Sequence, residues 1–258
     1  MNYLSICAIF KDEASYMREW LEFHLLVGFQ HFFLYNNNSS DNYMAILSPY
    51  IDRGYVTLVQ WKDQPGQLTA YKDCIRRFKD ESKWIAFIDL DEFLYSPQNH
   101  IKEQLKAYES YGGVVANWQM FGSGGLKTRP PGLVIESYLQ KAAKNHPVNT
   151  HVKSIIQPER AVSLRDPHSF SYREPYFAVN EECKVVINAF SPVSIEKFRI
   201  NHYWSKSAEE GKFKMAKTRA STYVQPPADM WERHESFLNE ELDHDILFYV
   251  PELKKRLA

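Results

Sequence analysis

The chain has no long apolar run. Nowhere in its 258 residues do enough apolar side chains follow one another to span a bilayer, which takes about 20. The apolar stretch at residues 4–10 is too short for a secretory leader and has no basic residues before it. The expectation is a cytoplasmic protein, reaching at most the inner membrane face as a peripheral visitor. Cysteine is scarce. Cys7, Cys74 and Cys183 are odd in number, far apart and without a CxxC, which excludes a disulfide framework and a zinc ribbon. Charge of one sign is also lacking. Lys plus Arg number 31 against 32 Asp plus Glu, so no basic excess points to nucleic acid. Internal repeats and low-complexity tracts are absent.

What is present suits a globular α/β protein. Hydrophobic residues make up 44% and aromatic residues 15% of the chain, enough for a sizeable core. The first part alternates strand and helix patterns. A strand at 4–10 is followed by a helix with Ala14, Met17, Leu21 and Leu25 on one face, stopped by Gly28. Strands at 31–35, 55–61 and 84–88 alternate with helices ending near 52 and 78. This order predicts a mostly parallel, Rossmann-like central sheet flanked by helices. Ligands of such sheets bind beyond the carboxyl ends of the strands. Those ends carry Lys11-Asp12-Glu13, an Asn/Ser/Asp loop at 36–41, and Asp89-Leu90-Asp91-Glu92-Phe93. Ser96-Pro97 predicts a helix to about 110. A strand at 114–121 precedes an irregular, proline-rich acceptor region up to about 198. A strand at 198–204 and a basic helix at 206–219 follow. The division expected is a domain at 1–220 with a C-terminal helical extension, 221–258, packed on it.

The acidic pair carries the strongest chemical signal. In an extended segment Asp89 and Asp91 share a face while Leu90 points into packing. Two such carboxylates repel unless a cation lies between them. Mn²⁺ or Mg²⁺ takes oxygen ligands and leaves positions for phosphate oxygens. The plain alternative is a capped or solvated turn. His202 is the expected third metal ligand, the alternative being a core histidine. Lys206, Lys212, Lys214, Lys217 and Arg219 follow it. Lys206 lies nearest and is the candidate for the leaving diphosphate; a solvated basic face explains most of the others. Asn36, Ser39 and Asp41 can read a base and ribose, although Asp41 also suits a helix N-cap. Gln67 is expected to face the nucleotide, while Tyr71 fits core equally well. Trp118, Phe121 and Trp204 are candidate sugar-stacking residues, with core packing the default for each. Gly122-Ser123-Gly124-Gly125 lacks the lysine of a P-loop.

These residues resemble a known group. Residues 7–13 (CAIFKDE), 19–24 (EWLEFH) and 84–93 (WIAFIDLDEF) are similar to glycosyltransferase family 92 and to bacterial family-2-like glycosyltransferases. Trp118 with Phe121-Gly122-Ser123, and His202-Tyr203 with Lys206-Ser207, extend the resemblance over about 4–220. It implies a GT-A fold, a Mn²⁺ cofactor, a UDP-sugar donor, often UDP-galactose, and inversion at the anomeric carbon. It matches Asp89 and Asp91 to the family's DxD and His202 to its late histidine, the expected metal set; Phe10, Asp12, Glu13 and Asp89 at the strand ends are the donor candidates. The acceptor would be a glycan or lipid-linked glycan of polysaccharide biosynthesis. Asn36 stands where many relatives have Asp, and 209–212 departs from the usual EEF run. The base that deprotonates the acceptor is expected among Asp166, Glu174 and Glu136, with Asp166, beside His168, first. A sugar-nucleotide hydrolase or nucleotidyltransferase, or a non-catalytic carbohydrate-binding protein on the same fold, are the other readings.

Overall fold

The computed structural model describes residues 1–98, 100–216, 218, 222 and 224–258. Lys217 and Arg219, two of the basic candidates, lie outside the described residues. The first half runs β1 (Asn2–Phe10), α1 (Ala14–Leu26), β2 (His31–Asn36), α2 (Tyr43–Asp52), β3 (Val56–Gln60), α3 (Gln67–Phe78), β4 (Ser82–Phe87) and β5 (Glu92–Tyr95). The middle holds α4 (Ile101–Lys106), β6 (Gly113–Met120), α5 (Val134–Ser137), β7 (Gln140–Lys141), β8 (Val152–Ile156), β9 (Ala161–Leu164), β10 (Phe170–Tyr172), β11 (Ala178–Val179) and β12 (Val185–Val186). The chain closes with β13 (Arg199–His202), α6 (Ala208–Ala216), α7 (Met230–Glu235), β14 (Glu241–Leu242) and α8 (Val250–Leu257).

The main sheet runs β12-β11-β6-β8-β4-β1-β2-β3, with β13 beside β6 and β5 beside β13. β1 pairs in parallel with β2 and β4, and β2 with β3. β1 and β2 are buried on both faces, which explains their continuous apolar runs. Alternation then sorts the side chains. Leu4, Ile6 and Ala8 join Met17, Trp20 and Leu21 of α1 on one face. Cys7 and Ile9 join Ala70, Tyr71, Cys74 and Phe78 of α3 on the other. The parallel α/β core is therefore the one expected from sequence.

Three local expectations need correction. Glu92 and Phe93 open a new strand rather than finish a turn. Phe93, Leu94 and Tyr95 are buried, and β5 pairs antiparallel with β13. The helix expected from Pro97 begins at Ile101, with His100 before it, and ends at Lys106. The irregular region hides β8, which enters antiparallel between β4 and β6. At the C-terminus, α7 and α8 are separated by β14, which pairs with β7. Leu253 of α8 is buried, and Arg199 forks between Asp243 (2.5 Å) and Asp245 (2.9 Å). No helix among the described residues is long and apolar enough to cross a membrane.

Candidate active site

The acidic turn leaves β4 at the carboxyl end of the parallel strands. Asp89 Oδ1 accepts from Gln67 Nε2 at 2.9 Å and from the Tyr71 hydroxyl at 3.4 Å. Asp89 Oδ2 pairs with Lys153 Nζ at 2.8 Å. Asp91 faces a different set. Its Oδ2 lies 2.7 Å from Lys214 Nζ and 3.4 Å from His202 Nε2. Between them Glu92 is wholly buried. Its Oε2 accepts from the Asp89 amide at 2.9 Å and stands 3.7 Å from Lys153 Nζ. The structure therefore joins Asp91 with His202, and it leaves Asp89 with Gln67, Tyr71 and Lys153.

The lysines change the electrostatic argument. Burial alone would raise the Asp91 carboxyl, but Lys214 and His202 hold it well below the usual range. Burial pushes Glu92 well above its usual value; Lys153 opposes this, while Asp89 and Asp91 reinforce it. Lys153 is 1% exposed, and Asp89 with Glu92 outweigh its burial and keep its ammonium charged. His202 is lowered by burial, so its imidazole is neutral and able to bind a metal.

The turn is held from behind by α1. Trp20 Nε1 donates to the Glu92 carbonyl at 2.8 Å, and the Leu94 amide donates to His24 Nε2 at 3.1 Å. That bond leaves the proton on His24 Nδ1, which faces the Trp20 carbonyl at 2.8 Å. Burial lowers His24 to about 3, so it stays neutral. Glu19 accepts from the amides of Val134 (2.9 Å) and Ile135 (3.1 Å), at the start of α5. The sequence blocks at 19–24 and 84–93 are thus two halves of one brace.

The donors that could hold a cation are few. Among the described residues no three His, Cys, Asp or Glu side chains gather into a metal-binding group. Asp91 and His202 nevertheless converge, one oxygen and one neutral nitrogen. His202 Nδ1 and Glu92 Oε1 lie 3.8 Å apart, both buried and without a hydrogen bond. Asp91 and His202 are therefore the residues that would hold a divalent cation, with one oxygen and one nitrogen donor.

The sequence model of glycosyltransferase family 92 matches residues 2–240. The chain belongs to that family. A family 92 protein of Ricinus communis is 27% identical over 252 residues, covering 87% of this chain and 42% of its own. A family 92 protein of Oryza sativa subsp. japonica is 28% identical, covering 86% and 36%. A galactan β-1,4-galactosyltransferase of Arabidopsis thaliana is 30% identical over 106 residues, covering 37% and 21%. This family 92 chain spans about two fifths of the length of the first of these relatives. Among solved structures, S. aureus TarS 1–349 in complex with UDP matches 60% of this chain and 47% of that chain. Its TM-score is 0.40 and its identity 12%, too low for the likeness to carry any argument.

The remaining expected residues of this family 92 chain divide into several groups. At the donor edge, loops after β1 and β2 brace each other. The Asp12 amide donates to Ser39 Oγ at 3.0 Å, and Asp12 Oδ1 accepts from the Ser40 amide at 2.6 Å. Asn36 donates to Gln60 Oε1 and the Tyr43 hydroxyl, and Asp41 Oδ2 accepts from the Ala14 amide. Asp41 thus caps α1 rather than α2. Phe10 is 3% exposed and meets Tyr43 edge-on, so it supports this edge from within the core. Glu13 precedes α1, and the Lys206 ammonium lies 3.5 Å from the centre of the Tyr16 ring on that helix.

On the acceptor side Trp118 is half-buried beside His202. Trp204 stacks on His234 at 4.2 Å. Phe121 is 0% exposed and packs on Tyr203, so it offers no face to a sugar; this corrects its expected stacking role. Asp166 gives its carboxylate to the amides of His168 and Ser169 and to the Ser169 hydroxyl. Glu136 pairs with Lys254 of α8 at 2.6 Å, and Glu174 is exposed.

Sequence reasoning missed Lys153. The available signal was a single lysine inside the apolar run Val152–Ile156, since a charge in a buried strand requires a partner.

Proposed function

We propose that this chain is a metal-dependent glycosyltransferase. It moves a sugar from a UDP-sugar to a glycan or lipid-linked glycan acceptor, with inversion, in a cytoplasmic setting. The observation that carries the reading is the convergence of Asp91 and His202 at the carboxyl end of the parallel strands, in a family 92 chain. Galactose is the sugar favoured, because Arabidopsis thaliana relatives are galactan galactosyltransferases.

Asp91 and His202 would hold the cation, whose charge offsets that growing on the leaving diphosphate. The protein's own groups do the rest. Gln67 and Lys153 fix the Asp89 carboxylate, so it meets the donor without reorganising. Lys214 and Lys206 put ammonium groups beside Asp91 and above Tyr16, where a diphosphate can draw on them. Trp118, half-buried and stacked on His151, turns the part of its ring left open beside His202 to the sugar.

A thermal-shift screen of sugar nucleotides, with and without Mn²⁺, tests this. UDP-galactose should raise the melting temperature only with the cation, and Asp91→Ala should erase the effect. Binding indifferent to Mn²⁺ and to Asp91→Ala would indicate a non-catalytic carbohydrate-binding protein. Pyrophosphate appearing as product would indicate nucleotidyl transfer.

A further inference from the structure

Three histidines surround the indole of Trp118. His202 meets it edge-on at 4.5 Å between ring centres, and His151 stacks on it at 4.9 Å with 16° between planes. His168 meets it edge-on at 5.3 Å. His168 and the imidazole beside Asp91 thus contact the same indole. The chain holds it from several sides. Asp166 Oδ1 accepts from the His168 amide at 2.7 Å and the Ser169 amide at 2.9 Å, and Oδ2 accepts from the Ser169 hydroxyl at 2.8 Å. Ser154 Oγ donates to the His168 carbonyl at 2.6 Å. His168 Nδ1 lies 2.9 Å from the Val152 carbonyl. A carbonyl only accepts, so Nδ1 carries the proton and Nε2 presents a lone pair. Nε2 makes no hydrogen bond among the described residues, and the residue is only partly buried. A tightly oriented, part-exposed imidazole in its base tautomer has the features of a catalytic group rather than of a core histidine.

We propose that His168 is the general base of the transfer, its Nε2 taking the proton of the attacking acceptor hydroxyl. This rests on the glycosyltransferase reading. The acceptor oxygen forms a bond to the anomeric carbon of the donor. The bond from that carbon to the diphosphate oxygen breaks, and its electron pair leaves with the nucleoside diphosphate. The hydroxyl proton passes to Nε2, leaving an imidazolium. Burial and the neighbouring Lys153 hold the imidazole down at about 4, so it is neutral at neutral pH and comparable in strength to a carboxylate base. Asp89 and Asp166 act in the opposite direction and favour the imidazolium once it forms. Asp166 is then a positioning residue, working through the turn that carries His168.

The test reads UDP release from UDP-galactose with Mn²⁺, with water and with β-1,4-galactotetraose as acceptors. His168→Gln should bind UDP-galactose as the wild type does and lose about a hundredfold or more in turnover. Added imidazole should restore part of the rate in His168→Ala, which a merely structural role would not allow. Asp166→Asn should lower kcat more mildly and leave the donor KM unchanged. Failure of the wild type to bind any UDP-sugar would remove the glycosyltransferase reading, and this inference with it. Donor binding with turnover of His168→Gln within threefold of wild type would overturn the inference alone. So would donor binding by the wild type without UDP release, or loss of donor binding in step with turnover. Should His168→Ala fail to fold, His168→Gln decides the question by itself.

Discussion

The two ends of the acidic turn are built differently. Asp89 is framed by β4, α3 and β8, and its lysine is 1% exposed. Asp91 is framed by β13 and by α6, a short helix whose Lys214 is 34% exposed. Asp89 is 33% exposed against 19% for Asp91, but its partners Gln67, Tyr71 and Lys153 are buried, so they fix its geometry before any ligand arrives. The Asp91 side takes its cation from a peripheral helix, so that cation can be exchanged for another. One end is suited to holding position and the other to binding.

Substitutions should separate the ends. The largest effect is expected at the binding end. Asp91→Asn should lower turnover about 10³-fold, matching the several kcal/mol a metal supplies to developing charge. Titration calorimetry should show Mn²⁺ binding lost in this variant and retained in Asp89→Asn. Equal loss in both would make the two acids equivalent and break the comparison.

The lysines should differ in stability. Lys153→Met takes the ammonium from Asp89, which is 33% exposed and keeps Gln67 and Tyr71, and leaves the Glu92 carboxyl without that neighbour, so it should cost about 1–3 kcal/mol. Lys214→Met removes a solvent-screened partner and should cost about 1 kcal/mol or less. Urea unfolding of both variants checks the order.

Gly211 sharpens the picture at the peripheral end. A Cβ there would fall 2.1 Å from Trp231 Nε1, so Gly211→Ala must push α6 away from α7. Turnover should fall about tenfold through displacement of Lys214, a loss of about 1.4 kcal/mol in transition-state stabilisation. Steady-state kinetics with the wild type as reference would show it.

The smallest expected effect concerns the brace. Burial raises Glu19 to about 7 against the amides of Val134 and Ile135, from an ordinary value of 4.5. The folded state therefore binds more protons than the unfolded state between these values. Stability from this group is complete below 4.5 and is lost as pH rises through 7. Glu19→Gln should flatten the decline in melting temperature across that window. An unchanged slope would assign the decline to another group.

The parallel core was legible because β1, β2 and β4 are buried runs separated by helical spacing. β5 was not, because its partner β13 comes from a distant part of the chain and DLDEF reads locally as a turn. At the site, Asp89, Asp91, His202 and Gln67 could be read from type and position. The repulsion argument for the two acids was too narrow. The structure answers that repulsion with Lys153 and Lys214, and those pairings are set by tertiary packing. His168 was visible only as a neighbour of Asp166, since its tautomer depends on the Val152 carbonyl.

Helix α1 touches three parts of this site. Its first amide meets Asp41, Tyr16 lies under Lys206, and Trp20 and His24 hold the strand after the acidic turn. Such a helix works as a shared datum. Small errors in its placement shift nucleotide loop, ammonium group and carboxylates together, so their mutual spacing survives while their common distance from β8 does not.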